Sequence, residues 1–339
     1  MPLSFRVLGG PGDDNALFVA VDTGQRVSRL MFDCGDGCPH ALETGDLLGM
    51  DHLFFSHFHM DHVAGFDLFF RLNFDREDPA VNVWVPPGGT EILHHRFRGF
   101  QWNLVGSNQR GTWDVHEISE TSVRTTRFHA REAFRTPQTI AEQPRTAVIV
   151  KGEGFTVEAY QLDHGCPSLG YIVREASRVN VDTDRMAARG FSPGPWVKRL
   201  RGEPARAGEM VAIKGSEYSL AQIQGELLVT TAGESVAYLT DFRLNEATGE
   251  YLSARLRGVT TLVCESQYRA ADVMLAENVM HSTSVEVATL AVRAEIGRLI
   301  LFHVSARYLP DGLGELLAEA RAIFPNTSFP DGWRVRASS

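Results

Sequence analysis

His57, His59, Asp61 and His62 fall in Ser56-His57-Phe58-His59-Met60-Asp61-His62, directly behind the apolar pair Phe54-Phe55. Three imidazoles and a carboxylate within six residues of chain, at the end of a strand, make a dense set of metal ligands on a short loop. Alternation points His57 and His59 the same way, while Asp61 and His62 turn aside to a second position. A local cluster rarely completes the coordination of a catalytic metal, so further ligands are expected at later strand ends. His164 follows the apolar stretch 157–162, Asp241 follows 236–239, and His303 follows 299–302. The carboxyl ends of strands are where open α/β sheets gather their active-site groups.

Seven side chains suit two ions. His57, His59 and His164 serve one, Asp61, His62 and His303 the other, and Asp241 bridges them. Two ions about 3.5–4 Å apart clamp an in-line displacement at phosphorus or an attack on a carbonyl, and lower the pKa of a bound water towards about 7. Imidazole and carboxylate without thiolate favour zinc, with manganese as the alternative. His281 stands apart, in Met280-His281-Ser282-Thr283-Ser284-Val285-Glu286. Thr283 with Glu286 reads as a capping box, which fixes His281 just ahead of a helix. That suits a general acid for the leaving oxygen, and Glu265, after the strand 261–264, could orient it. His40, His52, His94, His95, His116 and His129 lie in no such context and read as surface or core.

The elements that must position these groups alternate along the chain, the mark of a layered α/β protein. Strands are expected over 3–8, 16–21, 29–33, 51–56, 81–85, 156–161, 169–173, 235–239, 261–264 and 298–302. Helices are expected over 62–70, 90–96, 182–189, 285–294 and 313–323. Two segments break the pattern. Residues 119–145 are polar and Arg-rich without a clear period and read as an inserted loop. Residues 174–206 carry eight Lys/Arg against four Asp/Glu around Gly190-Phe191-Ser192-Pro193-Gly194-Pro195-Trp196, which reads as a projecting arm. Trp196 there either stacks on a base or packs the root of the arm.

At 339 residues, with 43% hydrophobic and 22% charged residues, the chain has a full-sized core and is not a disordered protein. Its net charge of −9 argues against a surface basic all over, so any polyanion must meet a local basic patch such as the arm. No apolar run approaches a membrane span, and the start reads as a first strand rather than a signal peptide. Four scattered cysteines exclude a disulfide scaffold, and a cytoplasmic protein is expected.

The His-x-His-x-Asp-His run, with His164, Asp241 and His303 at later strand ends, resembles the metallo-β-lactamase superfamily. That resemblance implies an αββα sandwich over a single domain, 1–339, with a two-metal site at one edge. Phe32-Asp33-Cys34-Gly35-Asp36-Gly37, His164-Gly165-Cys166-Pro167-Ser168-Leu169-Gly170-Tyr171, His281-Ser282-Thr283 and His303-Val304-Ser305-Ala306-Arg307-Tyr308 look like its ribonuclease Z branch, the tRNA 3′-end-processing endonucleases. Pro193-Gly194-Pro195-Trp196-Val197-Lys198 is similar to the Gly-Pro motif of that family's flexible exosite, which grips the tRNA body. The resemblance gives Asp61 a second role in activating the nucleophilic water and makes His281, backed by Glu265, the proton donor. It places Ser305 and Arg307 at the scissile region, makes Gly194, Pro195, Lys198 and Arg199 substrate contacts, and implies a homodimer. Three features depart from the family: an acidic opening loop, Gly9-Gly10-Pro11-Gly12-Asp13-Asp14; Thr240-Asp241-Phe242 where Gly-Asp-Thr is usual; and the 119–145 stretch.

The leading expectation is therefore a zinc phosphodiesterase that removes the 3′ trailer from precursor tRNA. The alternative keeps fold and metals but hydrolyses a small phosphodiester or ester. A non-catalytic metal carrier has no use for His281.

Overall fold

The protein is described by a computed structural model covering residues 3–333. Residues 1–2 and 334–339, the ends of the expected 1–339 domain, lie outside the described residues. The chain divides into two compact units, one made of residues up to Arg174 and from Ser235 onward, the other of Glu175–Glu234.

The first unit holds two sheets. One has eight strands in chain order: β1 (Leu3–Leu8), β2 (Ala16–Asp22), β3 (Val27–Phe32), β4 (His52–Phe54), β5 (Val81–Val85), β6 (Thr112–Ile118), β7 (Ser122–His129) and β8 (Gln138–Pro144). The run β3–β6 is parallel, with antiparallel hairpins on either side. The other sheet contains β9 (Val148–Gly152), β10 (Phe155–Asp163), β11 (Pro167–Glu175), β12 (Ser235–Leu239), β13 (Thr261–Glu265), β14 (Arg298–Phe302) and β15 (Thr327–Ser328). Its order is β15-β14-β13-β12-β11-β10-β9, and β12 to β15 run parallel.

Period-2 alternation builds four layers from these strands. Leu30 and Phe32 of β3 join Tyr171, Tyr238 and Val263 of the second sheet in one core between the sheets. Met31, on the opposite face, packs with Phe66, Phe69 and Phe97 of α2 (Phe66–Asn73) and α3 (Gly89–Arg98). Leu262 and Cys264 of β13 face α4 (Glu246–Leu256), α5 (Ser284–Arg293) and α6 (Leu313–Ile323). The central strands are buried on both faces, hence their near-continuous apolar sequence. The result is the expected αββα sandwich. Among the described residues no helix is long and apolar enough to cross a membrane.

Three expectations need correction. The 119–145 stretch is not a loop: β7 and β8 extend the first sheet. Arg127 and Arg124 of β7 pair with Asp114 and Glu117 of β6, so these two arginines are cross-strand partners rather than part of an unstructured charge run. A register shift between Thr125 and Thr126 breaks the alternation that would have disclosed the strand. The expected helix over 62–70 is two, α1 (Met60–Val63) and α2, separated at Gly65. A Cβ at Gly65 would lie 2.2 Å from the Gly35 carbonyl oxygen, so only glycine lets the chain pass.

The third correction concerns the arm, which extends to Glu234 rather than ending at 206. It has its own core, in which Met186, Phe191, Leu200 and Val211 pack with Leu220, Ile223 and Leu227. The basic first half, with helix Thr183–Ala188 capped by Asp182, is completed by a return half containing the hairpin Met210–Ile213/Ser216–Ser219 and the helix Leu220–Leu227. Glu175 N–H donates to the Glu234 carbonyl at 2.9 Å, so the unit begins and ends at one point.

Candidate metal centre

The parallel strands deliver the chemistry at their carboxyl ends. Three of the residues that turn the chain there, Asp33, Asp241 and His303, adopt left-handed backbone conformations, with φ of 60°, 47° and 49°. Asp and His are among the few residue types enriched in that region, so the same side chains serve the turn and the site.

One group of three side chains, Glu265, His281 and His303, and two groups of four have donor atoms within 4.8 Å of one another; the fours are His57, His59, His164 and Asp241, and Asp61, His62, Asp241 and His303. Asp241 belongs to both. Its Oδ2 lies 3.6 Å from His57 Nε2, 3.4 Å from His62 Nε2 and 3.5 Å from His164 Nε2, and its Oδ1 lies 3.4 Å from His303 Nδ1. Asp61 Oδ2 is 3.4 Å from His62 Nε2 and 3.3 Å from His303 Nε2.

Whether these residues fit a cation is decided by their neighbours. His62 Nδ1 donates to Asp33 Oδ2 at 2.9 Å, His57 Nδ1 to Ser56 Oγ at 3.0 Å, and His164 Nδ1 to the Met280 carbonyl at 2.8 Å. Each bond commits the proton to Nδ1 and leaves the Nε2 lone pair facing the site. His57 Nε2, His62 Nε2 and His303 Nδ1 are buried without a hydrogen-bond partner. An orphaned buried polar atom costs roughly 1–3 kcal/mol, and three of them converging on one buried carboxylate is what a divalent metal satisfies. Burial, reinforced by His62, pushes His57 down to about 2, which keeps it in the neutral, ligating form. Burial alone would raise Asp241, but His303, His62 and His57 outweigh it and hold the carboxyl well below its usual range. The donor set suits divalent metal.

His281 sits at the rim. Its Nε2 is 4.0 Å from Asp241 Oδ2, and its Nδ1 donates to Glu265 Oε2 at 2.9 Å. Burial works against charging this ring, yet Glu265 outweighs it and lifts His281 to about 9. Thr283 and Glu286 form the capping box that opens α5.

The expected substrate contacts are placed unequally. Ser305 joins Asp13, Asp14, Gln267, Asp61 and His303 around a pocket of about 150 Å³. Arg307 is not among the residues lining that pocket: its guanidinium lies over the Tyr268 ring and 3.7 Å from Asp272. In the arm, Pro195 precedes the short helix Trp196–Leu200, on which Lys198 and Arg199 lie, and Arg199 pairs with Glu209 at 3.1 Å. Trp196 packs: its ring meets Phe191, and Nε1 donates to the Ser192 carbonyl at 3.2 Å. The acidic residues of the opening loop are both engaged, Asp13 accepting from Gly10 N–H within its own turn and Asp14 from Asp36 N–H of the loop after β3. Thr240 Oγ1 donates to Asp241 Oδ1 at 2.7 Å, a bond available to the threonine that stands in for the usual glycine.

Sequence reasoning assigned no role to Asp33. Fully buried, it accepts from Ser56 N–H and Ser56 Oγ, each at 2.7 Å, from Tyr238 O–H at 2.9 Å, and from His62. A carboxylate at the end of a strand adjacent to the ligand-bearing strand was the available signal.

A family model described as anti-Pycsar protein Apyc1 matches residues 13–164. Ribonuclease Z of Deinococcus radiodurans is 43% identical over 331 residues, covering 98% of each chain. Among solved structures, the metallo-β-lactamase fold protein YhfI from Bacillus subtilis superposes with a TM-score of 0.56 at 14% identity, over 97% of this chain and 96% of that one. The short form of human tRNase Z superposes with a TM-score of 0.53 at 15% identity, over 98% of both.

Proposed function

The chain belongs to the ribonuclease Z family of the metallo-β-lactamase superfamily, and from that premise we propose that it removes the 3′ trailer from precursor tRNA by metal-dependent hydrolysis. The observation that carries the reading is the buried His281–Glu265 pair beside a seven-residue donor cluster, in a chain alike end to end with a ribonuclease Z.

His57, His59 and His164 would hold one zinc ion, Asp61, His62 and His303 a second, with Asp241 shared. Zinc bound there supplies a water acidic enough to ionise near neutral pH and takes up charge on the phosphate. The chain's own residues do the rest. Asp61, kept ionised because His303 and His62 outweigh its burial, orients and helps activate the attacking water, whose proton passes to the solvent. His281 holds a proton on Nε2 and delivers it to the departing 3′ oxygen of the tRNA as the P–O bond breaks. The trailer leaves with the 5′ phosphate. Glu265 fixes the ring and stabilises its charged form. Ser305 donates to the phosphate or the adjoining ribose, and Arg307 meets the next phosphate from the rim. The arm grips the body of the tRNA through Gly194, Pro195, Lys198 and Arg199. A homodimer and a cytoplasmic location complete this reading.

A second reading, hydrolysis of a small phosphodiester or ester, keeps the same donor cluster and the His281–Glu265 pair and makes no use of the arm. One assay separates the two: zinc-loaded wild type and His281→Ala on a precursor tRNA with a 3′ trailer, beside a chromogenic phosphodiester. Trailer removal abolished by His281→Ala supports the endonuclease. Intact precursor with rapid hydrolysis of the small diester supports the second reading.

A further inference from the structure

Arg243 follows two residues after Asp241, and its side chain is about nine-tenths buried, 11% exposed. Its Nη1 and Nη2 clasp both carboxylate oxygens of Glu286 at 2.7 Å each, a bidentate geometry that lysine cannot reproduce. The same Nη1 donates to the backbone carbonyl of His281 at 3.2 Å, and Nη2 reaches Glu277 at 3.2 Å. The backbone N–H of Arg243 donates to the carbonyl of Asp163, the residue before His164, at 2.7 Å. Beside it, Ser282 Oγ donates to the Phe242 carbonyl at 2.7 Å and accepts from Leu244 N–H at 3.1 Å.

These bonds converge on one task. His164 and Asp241 follow strand ends directly, whereas His281 sits on the connection between the helix Val273–Asn278 and α5, which reaches the sheet through Glu265 and a single bridge between Thr283 and Tyr268. General-acid catalysis needs the donor nitrogen within hydrogen-bond reach of the leaving oxygen. A shift of about 1 Å at the supporting residues is enough to lose much of the rate. We propose that Arg243 is the positioning residue of this reaction: it fixes the main chain of His281 to the Asp241 turn and so sets where the proton is delivered. The inference rests on the phosphodiesterase reading given above.

Leaving-group dependence supplies the test, because a nucleoside 3′ oxygen departs only when protonated and a p-nitrophenolate does not need it. Arg243→Met and Arg243→Lys, zinc-loaded, are compared with wild type on precursor tRNA, a dinucleoside phosphate and bis(p-nitrophenyl) phosphate. In Arg243→Met, turnover of the two nucleotide substrates should drop at least 30-fold, while their KM and the hydrolysis of the p-nitrophenyl ester stay within 3-fold of wild type. Zinc content stays unchanged, and Arg243→Lys recovers part of the loss. By proton NMR, the low-field signal of the His281 Nδ1 hydrogen bonded to Glu265 shifts or broadens in Arg243→Met. Equal losses on all three substrates, loss of zinc, or an unmoved NMR signal overturns the proposal. Wild type that cuts the dinucleotide but spares precursor tRNA refutes the tRNA reading and leaves Arg243 to be judged on the dinucleotide. If wild type cuts neither, the NMR signal decides.

Discussion

Glu265 binds His281 and the turn of Asp241 at once: Oε2 accepts from His281 Nδ1 at 2.9 Å and Oε1 from Phe242 N–H at 2.7 Å. A single buried carboxylate therefore sets both the charge of His281 and its distance from Asp241. With His281 raised to about 9, the donor form persists through neutral pH and is lost as pH rises past that value. Glu265→Gln keeps the shape and removes the charge, so the His281 pKa falls. The alkaline limb of the turnover–pH profile on precursor tRNA should move to lower pH by one unit or more. An unmoved limb would exclude His281 as the titrating acid.

Asp33 should matter for metal affinity without touching metal. Asp33→Ala strands Ser56, Tyr238 and His62 donors in a fully buried site, each costing about 1–3 kcal/mol. It also frees the His62 ring to rotate. Partners of this kind contribute about 10–100-fold to metal affinity. Zinc competition against a chromogenic chelator should show a loss of that size. Tyr238→Phe, which removes one donor and leaves the carboxylate on His62, should lose far less.

Much of this was legible because buried parallel strands must be apolar and must end abruptly where a polar ligand begins. Strands 3–8, 81–85, 235–239 and 298–302 and helix 313–323 have the bounds read from sequence. β7 was not legible, because its arginines are answered by acids on β6, a long-range pairing, and its bulge disrupts the period. α4 was missed because it carries Gly249 and buries little beyond Leu252 and Leu256. Asp33 and Arg243 reach His62 and His281, 29 and 38 residues away, through bonds that exist only once the turns are folded. The arm was cut short for a related reason: its basic half is conspicuous, but the half that completes its core is not.

Acid should destabilise the fold through two histidines remote from the metal site. His52 Nδ1 accepts from Trp84 Nε1 at 3.1 Å, and His116 stacks on the same indole while bonded to Thr125 and Asn82. Burial pushes each down to about 4. A histidine with a lowered folded pKa contributes stability above its unfolded value, about 6.5, and loses it as pH falls towards 4. The full loss is about 3 kcal/mol per ring. Urea midpoints of metal-free protein between pH 7.5 and 4.5 should fall steeply, and His116→Gln should show a shallower slope. Equal slopes in the two proteins would mean that His116 takes up no proton in this range.

Removing the arm tests its task because its geometry permits a clean excision. The buried residues of its apolar cluster all lie within 175–234, so deleting 176–233 withdraws no side chain from the cores of the sandwich. Glu175 and Glu234 are already hydrogen-bonded, and a two- or three-glycine bridge closes the gap without strain. The shortened protein should melt within a few degrees of wild type and hydrolyse bis(p-nitrophenyl) phosphate within about 3-fold of it. Cleavage of precursor tRNA should fall by 100-fold or more, chiefly through KM, because folded RNA is held by shape and phosphate contacts distant from the cut. The salt dependence should fall with it. Each lost phosphate contact removes roughly 0.7–0.9 from the slope of log affinity against log salt. A deletion that leaves tRNA cleavage and its salt slope intact would assign substrate grip to the sandwich itself and deprive Lys198 and Arg199 of their proposed role.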